Sequence, residues 1–238
     1  MSKIALITGA NKGIGLETAR QLARDHGFTV LIGARDEGRG NEAVNELKGA
    51  GLDAHLLIID PTDADSIAKA AARVEADYGH LDVLINNAGT GADGDNPLVD
   101  VAAMREVYEL NVFGLHAVTL AFWPLLEQSE AARLVNVSSM LGSLTRNADF
   151  DGPMGASKGL AYNSSKAAVN MMTLGYAYKW KDTPHRANTI HPGNVKTDLN
   201  PGGELDVQEG AKTSVALATI PDDGPNGEFF HLGENLPW

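Results

Sequence analysis

Short apolar runs alternate along this chain with longer segments of helical period, and that alternation constrains the fold more than any other feature. KIALIT, TVLIGA, AHLLIID, LDVLINN and ARLVNVS read as buried strands. Between them, GLETARQLARDHG, EGRGNEAVNELKGAG, ADSIAKAAARVEADYG and AAMREVYELNVFGLHAVTLAFWPLLEQ carry apolar residues at helical spacing. A helix containing Tyr162 then leads to a strand near RANTIHP, a Gly/Pro-rich stretch NPGGE, the helix DVQEGAKTSVALAT and a last strand at GEFFHL. Continuous apolar strands need both sheet faces covered. With right-handed crossovers the pattern predicts an α/β doubly wound parallel sheet of about seven strands, with helices on both faces and a ligand crevice at the strands' carboxyl ends.

The 238 residues are expected to form one domain spanning 1–238. The absence of any run of eighteen apolar residues and of a signal-peptide pattern at MSKIALITGA predicts a soluble, cytoplasmic protein with no membrane partner. Cysteine is absent, which excludes disulfides and thiolate metal ligands, and the seven histidines form no metal-binding motif. The net charge of -12 argues against a nucleic-acid partner, because a phosphate backbone demands clustered Lys and Arg. Local basic residues, Lys12 and Arg35 above all, are therefore informative.

The first strand runs into TGANKGIGLETA, with Gly9, Gly13 and Gly15 opening a helix. Glycine permits a tight turn and lets a pyrophosphate approach free N–H groups at a helix N-terminus. The spacing is G-x-x-x-G-x-G rather than the general G-x-G-x-x-G fingerprint. At the end of the second strand a dinucleotide site often carries a carboxylate for the ribose 2′-hydroxyl, whereas this chain has Ala34 and then Arg35. A guanidinium suits a 2′-phosphate, which Lys12 can also reach, so NADP(H) is favoured over NAD(H); Asp36 is the competing carboxylate.

Tyr162 and Lys166 stand four apart in LAYNSSKAAVNMM and so share a helix face. A cation near a phenol favours the phenolate and brings its titration, ordinarily near pH ~10, toward the working range of an acid or base. Amide and small residues in LINNAG, Asn111 in the long helix, and Ser138 or Ser139 in NVSSMLG complete the set. Periodicity does not decide which serine faces the cleft. His191, beside a proline-glycine loop, reads as structural.

Taken in order, TGANKGIG, IIDPTD, NNAG, Asn111, NVSS, YNSSK and HPGNVKTDL resemble a short-chain dehydrogenase/reductase of the single-domain, Rossmann-type form. NKGIGLETARQL, GARDEGRG and GEFFHLGENLPW are most similar to the NADPH-dependent carbonyl reductase branch. The resemblance implies a catalytic tetrad of Asn111, Ser139, Tyr162 and Lys166. Tyr162 would protonate the carbonyl oxygen, Ser139 hold it, Lys166 lower the phenol pKa and bind the nicotinamide ribose, and Asn111 support a proton-relay water. It further implies cofactor contacts from Gly9, Asn11, Lys12, Gly13, Ile14, Gly15 and Arg35, from Asp60 at the adenine, from Asn87, Ala88 and Gly89 near the ribose, and from Pro192, Gly193, Val195 and Thr197 around the nicotinamide and phosphates. The reaction expected is carbonyl reduction or alcohol oxidation of a small molecule. Reduction of an activated C=C bond, or a non-catalytic NADPH sensor, are the alternatives.

Ser139 and Tyr162 lie 23 positions apart. The usual family spacing is about 13, which leaves roughly ten extra residues in LTRNADFDGPMGASKGLA. Asn147 to Met154 either line the substrate entrance or form a disordered surface loop. The longer insertions of the carbonyl reductase branch accompany monomers in some members, which leaves monomer and homo-oligomer both open here. After Thr197 the stretch DLNPGGELDVQEG is short, which predicts an open, permissive pocket.

Overall fold

The computed structural model describes residues 2–91, 96–152, 154 and 159–238. All seven expected strands are present: β1 (Ile4–Thr8), β2 (Thr29–Ala34), β3 (Ala54–Ile58), β4 (Val83–Asn86), β5 (Arg133–Val137), β6 (Arg186–Ile190) and β7 (Phe229–His231). They pair in parallel in the order β3-β2-β1-β4-β5-β6-β7. The strand order reverses at β1, between β2 and β4, and a reversal of this kind opens a crevice at the carboxyl edge.

An eighth strand, β8 (Glu234–Asn235), adds an antiparallel edge that the sequence pattern did not reveal. His231 pairs with Glu234 across a two-residue turn whose members, Leu232 (φ 46) and Gly233 (φ 85), both lie in the left-handed region. Such turns ordinarily announce themselves by Asn-Gly or Asp-Gly. Leucine in the first position hides the signal.

The helices are α1 (Gly13–His26), α2 (Glu37–Gly49), α3 (Ala64–Tyr78), α4 (Val101–Tyr108), α5 (Leu115–Leu126), α6 (Leu144–Ala148), α7 (Leu160–Lys179) and α8 (Val207–Ala218). The sheet's alternation feeds two cores. Ala5 and Ile7 of β1 join Leu22, Val44 and Val215 from α1, α2 and α8. Ile4 and Leu6 face Ile67, Phe122 and Ala177 from α3, α5 and α7. Each fully buried large side chain, Phe122 or Trp180 for instance, contributes about 1.5–3 kcal/mol through removal from water.

The segment expected as one long helix is interrupted. Between α4 and α5 residues Glu109–Gly114 form a π-helical turn that carries Asn111. The whole run Val101–Leu126 is long and apolar enough to cross a membrane by length and composition, yet half of its most apolar window is buried against the rest of the protein. Core helices satisfy the same criterion, and this one packs on α3 and α7.

A buried polar chain fixes β4 and β5 to the helices beneath them. The Asn86 amide donates to Thr119 Oγ1 and Asn136 Oδ1, each at 2.9 Å, and Asn136 in turn donates to Thr173 Oγ1 at 2.8 Å. Beyond β5 the chain makes a 3₁₀ turn, Met140–Gly142, pressed against α7. A Cβ on Gly142 would stand 2.7 Å from the Lys166 carbonyl carbon and 2.9 Å from Ala167 N. Both are backbone atoms of the helix that carries the active groups. Gly142→Ala is therefore expected to lower the unfolding free energy by about 1–3 kcal/mol through overpacking, measured by denaturant titration; an unchanged midpoint would mean that the turn is free to move off α7.

Candidate active site

The carboxyl ends of β1, β4, β5 and β6 open into a cleft of about 590 Å³, lined among others by Ile14, Ser139, Tyr162, Pro192, Val195 and Thr197. Tyr162 lines it from the first turn of α7, and Lys166 lies buried one turn further along the same helix. The two serines after β5 are separated by their partners. Ser138 Oγ donates to the Lys166 carbonyl at 3.2 Å and is spent on holding α7. Ser139 accepts from Leu141 N at 3.2 Å and shares a side-chain hydrogen bond with the Tyr162 phenol. The register therefore turns Ser139, not Ser138, toward the reacting end of Tyr162.

Lys166 is buried, and its ammonium donates to the carbonyl of Val137, the last residue of β5, at 2.9 Å. Its nitrogen lies 5.6 Å from the Tyr162 ring centroid. Desolvation disfavours the charged form and brings its pKa down from 10.5 to about 8. Tyr162 is shifted the opposite way from the sequence-based expectation: burial pushes the phenol up, and the Ser139 hydrogen bond only partly offsets that. The phenol is thus protonated at neutral pH.

Asn111 is buried and fully engaged. Its Oδ1 accepts from Thr90 N at 2.8 Å, while its amide donates to Thr90 O at 2.8 Å and Ser165 Oγ at 3.0 Å. The side chain pins the strand-end loop to α7.

The glycine loop has the expected form. Gly9 (φ 65) and Gly13 (φ 59) take left-handed turns, and a Cβ on Gly15 would meet Asn87 Nδ2 at 2.5 Å. Asn87 is a brace for this loop, donating to Thr8 O at 2.9 Å and Gly9 O at 3.3 Å. Thr8, which the sequence reading assigned no role, accepts from both Asn87 N and Ala88 N at 3.1 Å and so ties the two nucleotide motifs together. Its only signal was its place as the last residue of β1.

Aspartate side chains cap α2, α3, α4 and α8, whereas α1 begins at Lys12 with no side-chain cap. Uncapped first-turn N–H groups over a glycine cradle suit an anion. Arg35 is exposed at the end of β2, and Asp36 is occupied as the α2 cap, accepting from Arg39 N at 2.8 Å. One oxygen of the carboxylate that competes for a ribose 2′-hydroxyl is thus committed to the helix, beside the exposed Arg35. Asp60 spends Oδ1 on the turn to Thr62, accepting from its N–H at 2.9 Å and its hydroxyl at 2.8 Å. Gly89 stands where a Cβ would reach 3.3 Å from Asn111 Oδ1 and 3.5 Å from Lys166 Nζ.

In the insertion, residues 144–148 form α6, and Asn147 donates to Leu141 O and Ser143 O, each at 2.8 Å. This part is ordered helix, not loose surface loop. Met154 lines the cleft, as expected for the entrance, while residue 153 of the stretch named above lies outside the described residues. His191 also lines the cleft, and burial together with His231 lowers its pKa to about 4, so it is neutral at physiological pH and no acid. After Thr197 the chain closes a tight turn to Asn200 and a single bridge from Val195 to Leu205, with no long lid.

The family model for short chain dehydrogenases matches residues 3–206. The chain is 35% identical to short-chain dehydrogenase/reductase 1 of Saponaria officinalis, over 99% of this chain and 96% of that one. It is 32% identical to (+)-neomenthol dehydrogenase of Capsicum annuum, over 98% and 96%. Among solved structures, the NADPH-bound carbonyl reductase from chicken fatty liver superposes with a TM-score of 0.87 at 28% identity, over 100% of this chain and 99% of that one. The protein belongs to the short-chain dehydrogenase family, and it is an oxidoreductase of the single-domain kind.

The depressed Lys166 pKa has a consequence for stability. Between pH 8 and 10 the unfolded chain holds a proton on this lysine that the folded chain has released, so stability rises with pH across that window. Above pH 10 the raised Tyr162 pKa acts the other way. Relative to Lys166→Met, the wild type is expected to gain about 2 kcal/mol of unfolding free energy from pH 8 to 10. Parallel denaturant titrations that track each other over this range would show that the ammonium is well solvated.

Proposed function

We propose that the protein is an NADP(H)-dependent oxidoreductase that interconverts a carbonyl and a secondary alcohol on a small apolar molecule in the cytoplasm, as one domain over residues 1–238. The observation that carries this reading is the Tyr162 phenol hydrogen-bonded to Ser139 and standing one helical turn from the buried Lys166 ammonium. The bound nicotinamide supplies or accepts the hydride. Tyr162 donates its proton to the carbonyl oxygen as negative charge develops there. Ser139 holds the same oxygen at the phenol, and Lys166 stabilises the phenolate left behind. Carbonyl reduction draws on the protonated phenol, the form that burial favours.

The preference for a 2′-phosphorylated cofactor rests on Arg35 and Lys12, on the engagement of Asp36 as a helix cap, and on the NADPH seen in the chicken enzyme. Met140, Leu141, Met154 and Leu199 give the cleft an apolar wall, and the short segment after Thr197 leaves it open. Both favour bulky, weakly polar substrates over sugars. The relatives' names, (+)-neomenthol dehydrogenase and salutaridine reductase among them, support this class.

Tyr162→Phe and Ser139→Ala are each expected to reduce carbonyl turnover by roughly 10²–10⁴-fold with NADPH affinity unchanged, whereas Ser138→Ala retains turnover. The measurement is NADPH oxidation against a panel of aldehydes, ketones, quinones and enones, with NADH in parallel. Undiminished turnover in Tyr162→Phe would remove the phenol from the mechanism; turnover of enones alone would transfer the assignment to C=C reduction.

A further inference from the structure

Lys12 and Asp198 join the two sides of the cofactor groove. Lys12 is the residue immediately before α1, and Asp198 follows Thr197 in the tight turn closed by reciprocal backbone hydrogen bonds between Thr197 and Asn200. The ammonium donates to Asp198 Oδ2 at 2.5 Å across 186 positions of sequence. The turn lies over the glycine loop: Thr197 Cγ2 is 3.9 Å from where a Gly13 Cβ would stand, and Asn200 is tied to the preceding strand end through Asn194 Oδ1 and Val195 O. Asp198 is thus held at the groove's rim by its own turn and does not follow Lys12 if that side chain swings away. Its carboxyl is kept below the usual carboxylate range by Lys12 and, more weakly, by Arg39. A carboxylate sits among the cations of a site that must receive phosphate.

We propose that Asp198 sets the strength of the cofactor preference, by competing with the 2′-phosphate for Lys12. This rests on the NADP(H) reading above. One ammonium serves the carboxylate or the phosphate at full strength, not both. This competition weakens NADPH and leaves NADH, which brings no 2′-phosphate, untouched. Asp198 therefore restrains a preference that Lys12 and Arg35 would otherwise make steeper.

The test is the dissociation constants of NADPH and NADH, by fluorescence titration at low salt, for the wild type, Asp198→Asn, Lys12→Met and the double variant. Asp198→Asn is expected to tighten NADPH roughly two- to fivefold, the scale of an exposed ion pair, with NADH unchanged and the gain absent in the Lys12→Met background. Equal changes for both cofactors would overturn the inference, because they would assign Asp198 to a strap over the shared part of the dinucleotide. A gain that persists without Lys12 would overturn the competition and leave only direct repulsion. Failure of the wild type to bind NADPH more tightly than NADH would overturn the NADP(H) reading itself, and the inference with it.

Discussion

The active site depends on keeping one ammonium out of water. Lys166 lies in the interior with the Val137 carbonyl as its backbone acceptor, and an isolated buried charge of this kind is tolerated only where the surroundings hold it rigidly. The rest of the region supplies that rigidity. Gly142 lets the turn after β5 touch the α7 backbone, Ser138 bonds the Lys166 carbonyl, Asn170 donates to Gly142 O at 3.2 Å, and the Asn136–Thr173 pair fastens the same helix one turn further on. These contacts join helix and strand end on the side that carries Tyr162, Ser139 and Lys166.

The parallel sheet and most of its helices were legible because buried apolar runs and period 3.6 patterns are strong in long elements, whereas the order of the strands was not read from the sequence. The functional residues were legible as members of motifs, yet several of their roles were not. Sequence places Tyr162 beside Lys166, but only the desolvated surroundings reveal that the phenol titrates upward. The resemblance gave Asn87 a cofactor contact and Asn111 a relay water; the structure adds that Asn87 Nδ2 donates to Gly9 O and that Asn111 Oδ1 accepts from Thr90 N. Amide side chains serve both purposes equally well, and spacing carries no information about which. Ser138 and Ser139 were indistinguishable until the partners of each hydroxyl were seen, and β8 was hidden by a leucine where turn chemistry favours asparagine.

Charge is distributed with economy. A protein of net charge -12 carries Lys12 and Arg35 at the mouth of the groove, while several of its aspartates serve as helix caps. Asp36 illustrates the point: one of its carboxylate oxygens accepts from the first turn of α2 and stabilises that helix. The same residue type performs opposite services at positions 36 and 198, according to whether its oxygens find backbone N–H groups or a neighbouring ammonium.

The π-helical turn at Glu109–Gly114 separates what would otherwise be a single rigid rod. A wide turn accommodates one residue more than an α-helical one, and each residue of an α-helix advances about 100° around the axis. The extra residue therefore rotates α4 relative to α5 by that angle, and each half presents its own stripe: α4 toward α7, α5 toward α3 and the sheet. Removing one residue from this turn would straighten the rod and force both halves onto one stripe, so that either Val107 or Phe122 would have to leave the interior. The bulge is thus a phase shifter, and Asn111 marks the position at which the phase changes.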